Sequence, residues 1–495
     1  MRAADRGAGA SPAPWCGAFP CVPTRLATIR PPRRLGAAIA LALAWVGLAG
    51  ADDAAPAGAA TWKAGVARAV ITPTTPVWLA GYGSKRVPDG ALHDLWMKVL
   101  ALEDPAGRRA VLVTSDFQGV PRSMSDPVFE RVAAAYGLGR AQLMITFSHN
   151  HCGPRLGDDL IDYYPVDPEQ ETLVREYTAR MIERMVETIG RALDDLAPAV
   201  LATGRGRATF AVNRRNNPEG DVPALRAAGK PLAGPVDHDV PVLHVTRPDG
   251  TARAILFGYA CHPTTLSFMT WNGDYPGFAQ LEIEERHPGT TAMFVNTCGG
   301  DQNPLPRRTV ELCMQYGHEL AAGVEEALAG ELRPIAPALA TAYRSIELPY
   351  LAVVTRAELL AITSDPQAAR GEAIKSRWAT RLLTRLAAGE TFPAAADYPL
   401  HAWRLGDTLV LGMGAETVVD YALRFKREFG AETWVCGYAD DMLAYIPSRR
   451  VWEEGGYEGG ARLYEYGRPA LRWAGDVEDR IAKAVHELVA EVREP

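Results

Sequence analysis

Leu143-Met144-Ile145-Thr146-Phe147-Ser148-His149-Asn150-His151-Cys152-Gly153-Pro154 carries an apolar run straight into a polar, histidine-bearing turn. Gln142 to Phe147 has the length and the apolar content of a buried strand, and Ser148 to Pro154 reads as the turn at its end. In extended backbone, residues two apart face the same side, so His149 and His151 look into one cavity. One would be a metal ligand and the other a proton carrier or a group that orients the ligand. An isolated His-x-His is weak evidence, and the pattern gains weight only if it repeats.

It does repeat. Arg253 to Gly258 is a second apolar strand, and it runs into Tyr259-Ala260-Cys261-His262-Pro263-Thr264-Thr265. A lone histidine there would ordinarily be a hydrogen-bonded core residue, but two strands ending alike point to a shared site. Asn272-Gly273-Asp274-Tyr275-Pro276-Gly277 and Asn296-Thr297-Cys298-Gly299-Gly300-Asp301-Gln302-Asn303-Pro304 are polar, glycine-rich turns beside apolar elements. Their backbone amides could cradle an oxyanion, and tight structural turns are the alternative.

Outward from these motifs, further strands are expected at Gly65 to Ile71, Lys98 to Glu103, Arg109 to Thr114, Val240 to Val245, Thr291 to Val295 and Thr408 to Gly412. Between them lie helical patterns. Leu173, Tyr177, Met181, Met185, Ile189 and Leu193 fall four apart on one apolar face, a packing stripe and not a cofactor box. Val477 to Val492 is a second amphipathic helix. This alternation predicts an α/β fold of mixed β-sheets flanked by α-helices. Asn216 to Pro235 reads as a long surface loop. No repeat or linker divides residues 62 to 495, which are expected to form a single large domain.

At the amino end, Arg25, Arg30, Arg33 and Arg34 precede an apolar run from Leu35 to Gly50. The run is short for a bilayer span, which needs roughly 20 apolar residues. Followed by small residues, it reads as a secretory signal over residues 1 to 50, with 51 to 61 as a flexible tether. The protein is then expected to be exported, periplasmic or extracellular, and membrane-attached if the signal stays uncleaved. The 495-residue chain holds 52 Lys and Arg against 59 Asp and Glu, a net charge of −7. Residues 1 to 50 contain six of those arginines and one aspartate, leaving 46 against 58, a net of −12. Such a balance excludes nucleic acid as a partner. Of seven cysteines, five lie beyond residue 50, odd in number and widely spaced, so no disulfide framework is expected. Without a Cys-x-x-Cys pair, Cys152, Cys261 and Cys298, inside or beside the motifs, read as small buried hydrophobes and not as metal thiolates.

The ordered set of motifs resembles the neutral, non-lysosomal ceramidases. That family carries a His-x-His-Ser-Gly-Pro segment, a His-Pro after a strand, a Gly-Asp-x-x-Gly-Tyr turn and a Gly-Asp/Asn-x-Ser-Pro turn. Here these stand as His149 to Pro154, His262-Pro263, Gly273 to Phe278 and Gly300 to Pro304. An Asn-Arg pair is matched by Asn213-Arg214, a later Glu by Glu416, a Tyr by Tyr445 and a Tyr-Glu by Tyr457-Glu458. The resemblance covers roughly Ala64 to Arg462 and implies the ceramidase catalytic-domain fold. It implies one zinc ion per chain held by His149, His262, Glu416 and Tyr445, whose charge lowers the pKa of water toward ~7 for attack on an amide.

The same resemblance implies roles for the residues around the metal. His151 would transfer a proton to the departing amine, and Arg214 would stabilise the oxyanion or hold a substrate oxygen. Tyr457 would contact the substrate, with Asp274 and Asp301 on the substrate side or bracing loops and ligands. The implied reaction is hydrolysis of a ceramide-like N-acyl sphingoid lipid to fatty acid and amine. The partner is an amphiphilic N-acyl substrate, met in peripheral contact with a membrane or lipid aggregates.

Two departures bear on the substrate. Asn303 stands where the family has a serine, which closes any route through that hydroxyl, although an amide can still donate to an oxyanion. The chain ends at Pro495, soon after the helix Val477 to Val492, which leaves no room for the family's C-terminal immunoglobulin-like domain. The alternatives are another amide or ester as substrate, or a lapsed enzyme that binds lipid or another small molecule without turnover.

Overall fold

Residues 61–365 and 373–494 are described by a computed structural model. The expected signal over 1 to 50 and all but the last residue of the tether lie outside the described residues. The described chain falls within one unit, Gly58–Pro495.

A nine-stranded sheet forms the framework. Its order is Thr291–Asn296, Ala252–Tyr259, Asp239–Thr246, Ala197–Arg207, Trp62–Val70, Trp96–Glu103, Arg109–Ser115 and Leu143–Ile145, with Arg333–Pro334 alongside Ala197–Arg207. The two outermost pairs are parallel and the rest antiparallel. Trp96–Glu103, Arg109–Ser115 and Ala252–Tyr259 are covered on both faces, which is why they read as nearly continuous apolar runs. Along Trp96–Glu103, Val99 and Ala101 pack into the core beneath the helices. Leu100 and Leu102 turn to the opposite face and pack against the second sheet. That sheet runs Leu339–Pro349, Ala395–Leu405, Thr408–Met413 and Trp434–Cys436. Its far face is closed by the helix Val477–Arg493, which buries Ile481, Val485 and Leu488.

The helix Pro168–Asp194 confirms the stripe: Tyr177, Met181, Met185 and Ile189 are buried. It starts where Asp167 accepts the Gln170 N–H at 3.1 Å and Pro168 takes the first helical position. Every expected strand is found, with ends shifted by at most three residues. The segment 216 to 235 is not uniform loop, since it contains the short helix Val222–Ala227. All five cysteines of the described chain are buried and free. No helix among the described residues is long and apolar enough to cross a membrane.

The sheet curls until its ends meet. Asn296, closing one edge strand, donates from Nδ2 to the Ser148 carbonyl at 3.0 Å, just past the other edge strand. Through that closure the segments after Leu143–Ile145 and after Ala252–Tyr259 face each other.

Candidate metal centre

His149 does not continue the strand. Its φ is 66°, in the left-handed region, so the expectation of extended backbone through His149 and His151 is corrected. A non-glycine residue is held there only when its surroundings over-determine it. Here the His149 N–H donates to Phe117 O at 3.0 Å and Nδ1 donates to Gln118 O at 2.7 Å. The two imidazoles still converge, by a turn instead of a pleat, with their Nε2 atoms 3.1 Å apart.

His262 is fixed in the same way. Its Nδ1 donates to Gly299 O at 2.8 Å, which leaves Nε2 as a lone pair. Behind it, Asp274 accepts the backbone N–H groups of Thr265, Leu266 and Tyr275 at 3.2, 2.8 and 2.8 Å and holds the turn. Glu416 and Tyr445 arrive together because Glu416–Thr417 and Tyr445–Ile446 pair in parallel, with Glu416 and Tyr445 as register partners.

The ligand atoms gather closely. Glu416 Oε2 lies 2.9 Å from His262 Nε2 and 3.2 Å from His149 Nε2, all three residues being buried. Tyr445 Oη lies 3.1 Å from His262 Nε2. Atoms bonded at about 2.1 Å to a tetrahedral cation sit roughly 3.4 Å from one another, so the separations fit one shared ion. Two imidazoles with carbonyl-fixed tautomers and a carboxylate are the donor chemistry such an ion needs, and His149, His262 and Glu416 could hold a metal ion.

Electrostatics agree. Burial, then the Arg214 charge, pushes the His262 imidazole down to about 4, keeping it a neutral donor. Burial, opposed by the neighbouring His149 and His262, leaves the Glu416 carboxyl well below its ordinary range, hence ionised. Burial, then His149 and His262, pushes His151 well below 6.5. Burial holds Tyr445 well above 10, so it stays a neutral phenol unless a cation's charge draws off its proton.

Around the ligands stand the remaining site residues. Arg214 donates from Nε to Glu458 at 2.7 Å, from Nη2 to Tyr445 Oη at 2.9 Å and from Nη1 to Asn303 Oδ1 at 3.2 Å. Asn303 is brought there by the pairing of Ala211–Asn213 with Gln302–Pro304. The Tyr457 ring packs 5.1 Å from that of Tyr445. Asp301 spends Oδ1 on the Val419 N–H at 2.9 Å and Oδ2 on Asn213 Nδ2 at 2.9 Å. Asp274 and Asp301 are thus placed as loop braces, and neither lines the cleft beside Arg214.

Sequence reasoning missed Tyr466, whose Oη donates to Glu416 Oε1 at 2.6 Å. It also gave no role to Glu458, which holds Arg214, or to Tyr438, whose ring lies 5.0 Å from that of His149. No local pattern marks these residues; only Glu458 sat within a quoted motif. Left-handed backbone recurs around the centre, at His149, Asp274, Ala415, Tyr438 and Asp440.

The sequence profile described as neutral/alkaline non-lysosomal ceramidase, N-terminal, matches residues 62–335. That span includes His149, His262, Arg214 and Asn303, whereas Glu416 and Tyr445 lie beyond it. The fold is similar to the crystal structure of neutral ceramidase from Pseudomonas aeruginosa, with a TM-score of 0.67 at 19% identity over 88% of this chain and 75% of that one. It is also similar to a ceramidase complexed with C2, TM-score 0.66 at 18% identity over 88% of this chain and 76% of that one. No curated protein matches by sequence. With more than half of its length under that profile, the chain belongs to the neutral/alkaline non-lysosomal ceramidase family.

Proposed function

We propose that this protein is a zinc-dependent amidohydrolase that cleaves an N-acyl amide, a ceramide-like N-acyl sphingoid lipid, into fatty acid and amine. The observation that carries the proposal is the convergence of His149 Nε2 and His262 Nε2 on Glu416 Oε2, at 3.2 and 2.9 Å, with both histidine tautomers fixed by carbonyls. Tyr445 completes the set that would hold the ion. When bound, zinc polarises a carbonyl and lowers the pKa of water to about 7.

The protein's own groups do the rest. In hydrolysis a water oxygen forms the new C–O bond, the C–N bond breaks and the amine leaves with a proton. His151, neutral and partly open, carries the proton: it takes one as water is deprotonated and delivers it to the nitrogen. Arg214 remains charged, because burial is outweighed by Tyr445 and Glu458, and it faces the negative charge that develops on the carbonyl oxygen. The proposal includes export by the amino-terminal signal and peripheral encounter with lipid. The test is metal content beside release of fatty acid from a short-chain fluorescent ceramide, for wild type and His149→Ala. One zinc per chain with activity lost in the variant supports the proposal. A protein that takes up no zinc overturns the mechanism, and zinc without any amide turnover overturns the reaction.

A further inference from the structure

A second cleft, of about 450 Å³, lies at the other end of the strands that lead to the metal centre. Arg68, Arg191, Arg247, Arg253 and Asp195 line it, together with Thr291. Arg253 is the second residue of Ala252–Tyr259 and Thr291 the first of Thr291–Asn296, two parallel neighbours. His262 follows the opposite end of the first strand, past a rise of about 20 Å for six residues of extended chain. The cleft shares no lining residue with the metal centre or with the cleft beside Arg214.

The opening arises where a strand leaves its neighbour. Trp62–Val70 pairs with Ala197–Arg207 only from Trp62 to Ala64. Beyond that point the Val66 N–H donates to Asp195 Oδ2 at 2.8 Å instead of to a strand carbonyl. Arg253, buried, spans the gap and donates to the carbonyls of Ala64 and Asp195 and to Asp195 Oδ2.

Charge in the cleft does not balance. Asp195 takes Arg253, and Glu284 is shared between Arg68 at 3.1 Å and the buried Lys98 at 2.8 Å. Arg191 and Arg247, both exposed, have no carboxylate within ion-pair reach among the described residues. Arg191 Nη2 donates to Arg68 O and Thr188 Oγ1, each at 3.0 Å, and Arg247 Nη1 reaches only Ala252 O, at 3.5 Å. Arg68, Arg191, Arg247, Arg253 and Lys98 thus face Asp195 and Glu284, five cations against two carboxylates. The carboxyl end of the helix Pro168–Asp194 adds about half a negative charge, which leaves about two and a half positive charges. They gather on a chain whose net charge is −7. Like charges brought together repel, and an anion between them removes the repulsion. A guanidinium offers paired N–H donors that meet two oxygens of a phosphate at once, and a phosphate group carries about −1.5 to −2 at pH 7.

We propose that this cleft is a phosphate site, in which Arg191, Arg247 and Arg68 hold a phosphate group that ties Trp62–Val70, through Arg68, to the turn after Asp239–Thr246, through Arg247. The inference stands independently of the amide-hydrolase reading. Free phosphate and the phosphate of a lipid headgroup offer the same chemistry, and the experiment separates them.

Isothermal titration calorimetry of the zinc-loaded full chain with inorganic phosphate, at an ionic strength of about 0.15 M held by chloride, reads the site. A dissociation constant below about 1 mM is expected, weakened about tenfold or more in Arg191→Gln/Arg247→Gln and unchanged in His149→Ala. Both arginines are exposed and outside ion pairs, so the double variant should fold, and circular dichroism checks both variants. Phosphate binding that survives the double variant, or that is lost in a folded His149→Ala, overturns the inference. If free phosphate does not bind, cosedimentation with vesicles of phosphatidylcholine and phosphatidic acid decides. Vesicle binding lost in the double variant upholds the site and assigns its phosphate to a lipid headgroup; no such binding overturns it.

Discussion

Tyr466→Phe removes one oxygen atom and tests whether Glu416 is oriented as a metal ligand. In the native protein Tyr466 Oη donates to Glu416 Oε1 at 2.6 Å, while Oε2 lies between His262 Nε2 and His149 Nε2. The hydroxyl therefore fixes the plane of the carboxylate, and it does so in a buried setting. A hydrogen bond to a charged acceptor contributes about 1.5–3 kcal/mol. At about 1.4 kcal/mol per tenfold, its loss weakens the metal site by roughly 10- to 100-fold, the same range expected when a ligand's outer partner is removed. The phenyl ring keeps its packing 6.0 Å from the Tyr445 ring, so the variant should fold. Competition for zinc against a chromophoric chelator at pH 7 measures the effect, with a thermal melt of the metal-free protein as the check on folding. A zinc affinity within twofold of wild type, in a folded variant, would refute the orienting role and with it the assignment of Glu416.

Three further outcomes follow from the geometry. Because His262 titrates at about 4 and not near 6.5, its donor form persists on mild acidification; metal content followed from pH 7 downward should hold to about pH 5 and fall near pH 4, and a midpoint near 6.5 would contradict the burial argument. The sign for the metal-free fold is the same, since the unfolded chain protonates first: the His262 contribution is full above 6.5 and is lost between 6.5 and 4. Asp441 behaves oppositely, its carboxyl pushed up to about 6 by burial against the pull of Arg468 and Arg122, so its folded form is penalised as pH rises from 3.8 through 6; Asp441→Asn should gain stability over wild type between pH 4 and 7, by about 2 kcal/mol in urea unfolding, and a pH-independent difference would sink the idea. At Gly206 an added Cβ would lie 1.7 Å from Gly323 O, where the strand Ala197–Arg207 presses on the helix Val310–Ala329; Gly206→Ala should cost about 2–3 kcal/mol by the same assay, and an unchanged midpoint would show that the helix moves freely off the strand.

Legibility in the sequence followed burial. Strands covered on both faces, such as Trp96–Glu103 and Ala252–Tyr259, read as apolar runs and were found near their true ends. Leu339–Pro349 and Ala395–Leu405 were not anticipated. The first buries only Leu339, Ala342 and Leu348 and carries Arg344 and Glu347. The second contains Pro399, which ordinarily argues against a strand. In the site, His149 and His262 were visible from the residues because each follows an apolar strand. Glu416 and Tyr445 came only from resemblance to a family, and Tyr466 from neither, since its partner is fifty residues away.

The sequence by itself determined the eight strands it marked, the apolar stripe of Pro168–Asp194 and the burial of Cys152, Cys261 and Cys298, because each depends on local periodicity and side-chain polarity. Tertiary structure decided the rest. Only curling of the nine-stranded sheet, sealed by Asn296 on Ser148, brings His149 to within a shared ion's reach of His262. Only the parallel pairing of two short strands sets Glu416 beside Tyr445. And only contacts from Phe117 and Gln118 force His149 into a left-handed turn. These are long-range contacts whose geometry no local pattern encodes, and they turn two histidine-bearing strand ends into one centre.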